Sequence, residues 1–364
     1  MRVPPQKKVA PFCFTQNMID TTQSNIDALS VHTVGNSSLN EELTLSKQPL
    51  LVGSDSLKDL LLTYFFSNFN SHEYYNFSLP EDDSAANPIF TSAKVIFQDS
   101  EALHGESIRI AEHLYGVSQH HNIKSGDLYV ARFSGIIIDN KPPLEVVGLF
   151  KCENKETYLK LQHEPGRFNL SSDEGINIRK LDKGCLILNL EEDAGYKVLI
   201  VDNANKSDAV FWKDTFLNVR PWSDAFHHTH NFMNLTRQYV GDQLDEEFSV
   251  SKADKIDLLN RSMNFFKSRD QFNQHEFEAE VLEDASVIES FRKYERSFLT
   301  EGDVTDNFEI SAQAVKRQAR IFKSVLKLDK NFHIYIHGNR DLIEKGFDGV
   351  KHRHYYKIYF DKES

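Results

Sequence analysis

Cysteine is scarce. The 364-residue chain has three, Cys13, Cys152 and Cys185, far apart and without a C-x-x-C pair. That excludes a disulfide framework and a zinc ribbon and fits a reducing cytosol. Trp and Met are also few, at 2 and 4 residues. No run of about 18 apolar residues exists, so no membrane-spanning helix is expected. The first twenty residues lack a continuous apolar stretch, and no signal peptide is expected. Common catalytic signatures are missing too: G-x-G-x-x-G, the Walker A loop, the G-x-S-x-G elbow and H-E-x-x-H. The residues therefore name no cofactor and no resident metal.

What the chain does have is phenylalanine, 27 residues of it, within a composition that is 40% apolar and 26% charged. Such a chain can bury a large aromatic core and is too apolar to be disordered. At about 150 residues per domain, two or three domains are expected. Residues 1–50 are polar and weakly patterned and read as an irregular segment. Residues 51–220 read as an α+β domain. A helix begins after Ser54, with Leu57, Leu60, Leu61, Tyr64, Phe65 and Phe69 at helical spacing, and a second helix spans residues 107–119. From Gly126, short apolar or alternating runs (GDLYVARFSGIIID, LEVVGLFKCE, ETYLKLQ, GCLILNL, YKVLIVDN) form an antiparallel β-meander. Residues 221–364 read as a mostly helical domain closed by a small β-hairpin made of HIYIHG and YYKIYF. Ser251 is the expected N-cap of one helix, with Asp254 at the capping-box position. The fold class is thus α+β.

Two constellations could carry chemistry. His227 and His230, three apart on a helix, share a face and could ligate a metal, with Asp224 the one local carboxylate. Packing of these His residues on Phe226 and Phe232, or exposure to water, accounts for them as well. Glu153 and Lys155, with Asp139 upstream, have the minimal carboxylate-and-lysine pattern of a metal-dependent nuclease. The same residues also read as a solvated hairpin tip.

The charge is more informative. The formal net charge of −12 argues against a nucleic-acid protein, but it is unevenly placed. Residues 313–364 hold twelve Lys/Arg and six Asp/Glu, a net +6, so the remainder carries −12 − 6 = −18. Lys316, Arg320, Lys323 and Lys327 fall at the spacing of one helical face, with Arg317 beside them, on a helix expected to span residues 311–328. Val315, Ala319, Phe322 and Leu326 form the adjacent apolar stripe. Lys351, Arg353 and Lys357 lie among His and Tyr near the end, a mixture suited to phosphate contact and stacking. Solubility, or protection of an edge strand, explains the same charges without a ligand. No helix-turn-helix or C₂H₂ finger is present, so any nucleic-acid binding would be phosphate-dominated and weakly specific.

The order of segments resembles the bacterial nucleoid-associated (NdpA-like) protein family. The resemblance is carried by SLKDLLLTYFFSNFNSHEYYNFS (56–78), SIRIAEHLYGVSQHHNIKSGDLYVARFSGI (107–136), EVVGLFKCENKETYLKL (145–161), YKVLIVDNAN (196–205), FWKDTFLNV (211–219), IHGNRDLIEKGFDG (336–349) and YYKIYF (355–360). It implies a cytoplasmic, nucleoid-located protein that associates with DNA, without a catalytic role or cofactor. The family offers no defined binding motif, so the basic residues named above rest on charge alone. The expected activity is DNA association, of duplex at low specificity. The alternatives are a nuclease using Asp139, Glu153 and Lys155, and a protein-interaction module that reaches DNA through a nucleoid protein partner. A homodimer is compatible with the Phe-rich stripes.

Overall fold

A computed structural model describes residues 18–78, 87–203, 211–298, 306–319, 325–328, 330, 332–335 and 342–362. The chain divides after Trp222 into two compact units. Among the described residues, no helix is long and apolar enough to cross a membrane.

The first unit is built on a nine-stranded antiparallel sheet. Its strands are β1 (Ile19–Asp20), β2 (Asn25–Val34), β3 (Leu43–Thr44), β4 (Tyr74–Phe77), β5 (Gly126–Ile138), β6 (Leu144–Cys152), β9 (Lys183–Leu188), β10 (Lys197–Asp202) and β11 (Val219–Pro221). Between β6 and β9 come β7 (Glu156–Glu164) and β8 (Arg167–Gly175), which form a separate two-stranded ribbon. The sheet order is β11-β4-β10-β9-β6-β5-β2-β3, with β1 also paired to β5.

Helices cover both faces. On one side α2 (Pro88–Gln98) and α3 (Leu103–Val117) place Ile89, Ala93, Ile96, Ile110 and Leu114 against Val130, Val147, Leu149, Cys185 and Ile187. On the other, α1 (Asp55–Phe66) packs Leu62, Phe65 and Phe66 against Phe133, Val146, Phe150, Leu186 and Leu188. With both faces buried, β6 and β9 read as continuous apolar runs instead of alternating ones. Gly148 makes room for the aromatic cluster: a Cβ there would lie 2.5 Å from the Phe150 ring, which stacks on Phe65 at 4.2 Å.

Ser54 caps α1 as expected, its hydroxyl accepting from the Leu57 amide. The buried stripe differs from the expected one, because Leu57 and Leu60 are exposed while Leu62 and Phe66 turn inward. Residues 18–50 are also not irregular. β2 pairs with β5 along its length. Its inward positions include Ser30 and His32, which bond to His104 and Ser107 of α3. Buried polar residues satisfied by a helix hide the alternation that marks a strand. ETYLKLQ belongs to the β7–β8 ribbon and not to the main sheet.

In the second unit, α4 (Ala225–Gln238), α5 (Lys252–Lys267) and α6 (Ala285–Phe298) surround a phenylalanine cluster. Phe272 and Phe308 face each other across the short pair β12 (Gln271–Asn273) and β13 (Asn307–Glu309), with ring centroids 4.4 Å apart. The Ser251–Asp254 capping box of α5 forms in both directions. Then come α7 (Ala312–Ala319) and two hairpins, β14 (Val325–Leu328) with β15 (Phe332–Tyr335), and β16 (Ile343–Asp348) with β17 (Arg353–Ile358).

Candidate nucleic-acid interface

The expected basic helix is shorter than its charge pattern. α7 ends at Ala319. Val325–Leu328 is a strand whose register sets Lys327 opposite His333. The physical reason is a two-residue alternation in the sequence, Leu-Lys-Leu then His-Ile-Tyr, on either side of the polar residues Asp-Lys-Asn, which is a hairpin signal. Lysines four or more apart satisfy a helical period by coincidence there. Arg320 and Lys323 lie outside the described residues. Lys316 and Lys327 therefore sit on different elements and not on one helical face.

α7 is held by its other side. The Ser311 amide donates to Thr229 Oγ1 at 3.0 Å, and buried Gln318 donates through Nε2 to His230 Nδ1 at 3.1 Å. Ala314 and Val315 are buried, and Lys316 and Arg317 are exposed. The helix thus exposes Lys316 and Arg317 at adjacent positions on a backbone fixed to α4.

The terminal hairpin packs on α5 through one face: Ile343 and Tyr356 meet Ile256, as do Leu328 and Ile334 of the preceding hairpin. Its other face mixes charge signs. Arg353 is the register partner of Asp348, and Lys357 that of Glu344. Lys357 Nζ lies 3.6 Å from Glu344 Oε2 and 4.7 Å from the Tyr359 ring centroid. The Tyr359 contact, with Glu344 after it, holds the Lys357 ammonium above its usual range and so fully charged. Lys351 is exposed in the turn. Phe347, Tyr355, Tyr359 and Phe360 are exposed large aromatics on or beside the hairpin. The sequence showed the Tyr residues among the cations; the cross-strand acidic partners appear only once the register is known.

The nuclease constellation does not assemble. Asp139 lies just beyond one end of β5 and bonds to His72 Nε2 at 2.9 Å. Glu153 lies near the other end, because Asp127 pairs with Cys152. Glu153 is buried between Lys151 and Lys183, at 3.0 and 3.4 Å. Lys155 turns outward to Asp127. Glu153 is a structural counter-ion, and the hairpin-tip reading fails for it as well. The histidines also diverge. His227 contacts Asn231, His228 contacts Ser223 and stacks on Phe308, and His230 stacks on Phe226. Among the described residues no group of His, Cys, Asp or Glu is arranged to hold a metal ion.

A model of one protein family, described as nucleoid-associated protein YejK, matches residues 30–351. No curated protein matches the chain.

Proposed function

The chain belongs to the nucleoid-associated protein YejK family, and on that premise we propose that it contacts duplex DNA directly, through phosphates, with low sequence specificity. The cations assigned to this contact are Lys316, Arg317, Lys327, Lys351, Arg353 and Lys357, with Arg320 and Lys323 between the first two and the third. The reading is carried by Lys316 and Arg317, exposed side by side on a helix whose opposite face is pinned by Gln318 and Val315. They open a stretch of net charge +6 in an otherwise acidic chain. Their backbone is already ordered before it meets a polyanion, and the counterions released from DNA supply the driving force.

The acidic partners of Arg353 and Lys357 reduce what the hairpin adds, and exposed charges more than about 8 Å apart are largely screened at physiological salt. Binding is therefore weak and local, without long-range steering. Exposed aromatics on the same hairpin favour stacking or groove contact next to the phosphates. The test is titration of a labelled duplex with purified chain at low and at physiological salt. Direct contact predicts binding that weakens as salt rises. A chain that associates with the nucleoid only through a protein partner would leave naked DNA unbound at both salt levels.

A further inference from the structure

The β7–β8 ribbon is amphipathic, and among the described residues nothing covers its apolar face. Two strands of nine residues each pair with one another and with no strand of the main sheet. Register partners share a face, so Leu159 and Ser172, Leu161 and Leu170, and His163 and Phe168 all point to one side. Tyr158, Lys160, Gln162 and Arg167 point to the other. Leu159 is 71% exposed, Leu161 64%, Phe168 69% and Leu170 65%.

An isolated two-stranded hairpin is at best marginally stable in water. A ribbon of this length with an uncovered apolar face lacks the third layer that such a face requires. The four side chains, at about two-thirds exposure of roughly 180 Å² each, offer on the order of 500 Å² of apolar surface. That equals the largest patches carried by ordinary monomers.

We infer that this face packs against the same face of a second copy of the chain, about a two-fold axis. The centre of the patch, Leu159, Leu161, Phe168 and Leu170, is self-complementary and holds no carboxylate or ammonium group; Glu174, opposite Thr157, closes one end of it. The charges that flank the ribbon are largely neutralised within the chain, Arg167 by Glu164 and Glu156 by Lys180. A second copy with net charge −12 can therefore approach here without meeting a like charge at the centre of the apolar face. A nucleic acid does not fit, because Glu156, Glu164, Asp173 and Glu174 outnumber Lys160 and Arg167 along the ribbon. Two copies together bury about 1,000 Å², the low end for a specific interface. The dimer is accordingly concentration-dependent, with a dissociation constant on the order of micromolar. The inference is independent of the DNA reading.

Adjacent residues on opposite faces provide the test. The full chain, Leu161→Lys and Gln162→Lys are compared by sedimentation velocity from about 1 to 100 µM, a range that brackets the micromolar constant expected for an interface of this size. The parent and Gln162→Lys should move from monomer toward dimer across the range, while in Leu161→Lys a buried unpaired charge should shift that transition to at least about tenfold higher concentration. Circular dichroism checks that the three share one fold. A parent monomeric throughout overturns the inference, as it would if a different protein or another segment of the chain covered the face. Equal loss of dimer in both variants also overturns it.

Discussion

Lys151 and Lys183 are register partners across β6 and β9, both fully buried, and both amines close on the single carboxylate of Glu153. Asp202 lies 3.4 Å from Lys183 and supplies a second counter-charge. Burial holds the Lys151 ammonium below its usual range, and Glu153 opposes that shift. Two buried amines in a sheet core need these carboxylates as partners, which is a demand of packing.

Glu153→Gln should therefore cost about 3–5 kcal/mol, the range for removing one member of a buried ion pair. Lys155→Ala, which removes an exposed lysine paired with Asp127, should cost less than about 1 kcal/mol. Urea unfolding of the two variants measures the contrast. Equal and small losses would show that Glu153 does not anchor the buried lysines.

A second expectation concerns acid. His32 is buried, accepts from the Ser46 amide through Nδ1 and meets Ser107 through Nε2. Burial, with a smaller contribution from nearby His104, lowers its pKa from 6.5 to about 4. The folded chain keeps His32 neutral while the unfolded chain takes up a proton, so stability is complete above pH 6.5 and falls as the pH drops toward 4. The loss amounts to about 3 kcal/mol at most. Chemical unfolding at pH 7.5, 6, 5 and 4 follows it, and His32→Asn should flatten that part of the profile.

The second unit depends on its phenylalanine cluster. Phe272 is 1% exposed and stacks on both Phe308 and Phe266. Phe272→Ala should destabilise this unit by about 3–5 kcal/mol, from reduced burial and the cavity left behind. Denaturant titration followed by circular dichroism reports it. A change below about 1 kcal/mol would mean that the cluster collapses around the gap.

Much of this architecture is legible in the residues. The strands β5, β6, β9 and β10 announce themselves as apolar runs between turn residues. The caps at Ser54 and Ser251 form as their side chains imply. Three features were hidden for identifiable reasons. β2 buries Ser30 and His32, so its alternation is masked by polar residues whose partners lie more than seventy positions away. The Lys316–Lys327 spacing fits a helix numerically, but the period of two around Asp329 selects a hairpin. The β7–β8 ribbon looks like one more strand of a meander until its pairing shows that it leaves the sheet. Of the candidate interface, the positions of the cations were readable, but their pairing with Asp348 and Glu344 depends on a hairpin register that no local pattern fixes.

The DNA contact is tested most directly by the salt dependence of duplex binding in a chain lacking its exposed C-terminal cations. Lys316→Gln, Arg317→Gln, Lys351→Gln and Arg353→Gln are combined, and binding to a labelled duplex is followed by fluorescence anisotropy from low to physiological salt. Direct phosphate contact by these side chains predicts weaker binding at every salt concentration. It also predicts a plot of log K against log salt that is shallower by about 0.9 for each phosphate that the variant leaves unneutralised. A variant that binds as tightly as the parent, with the same slope, would contradict the assignment of DNA binding to this surface.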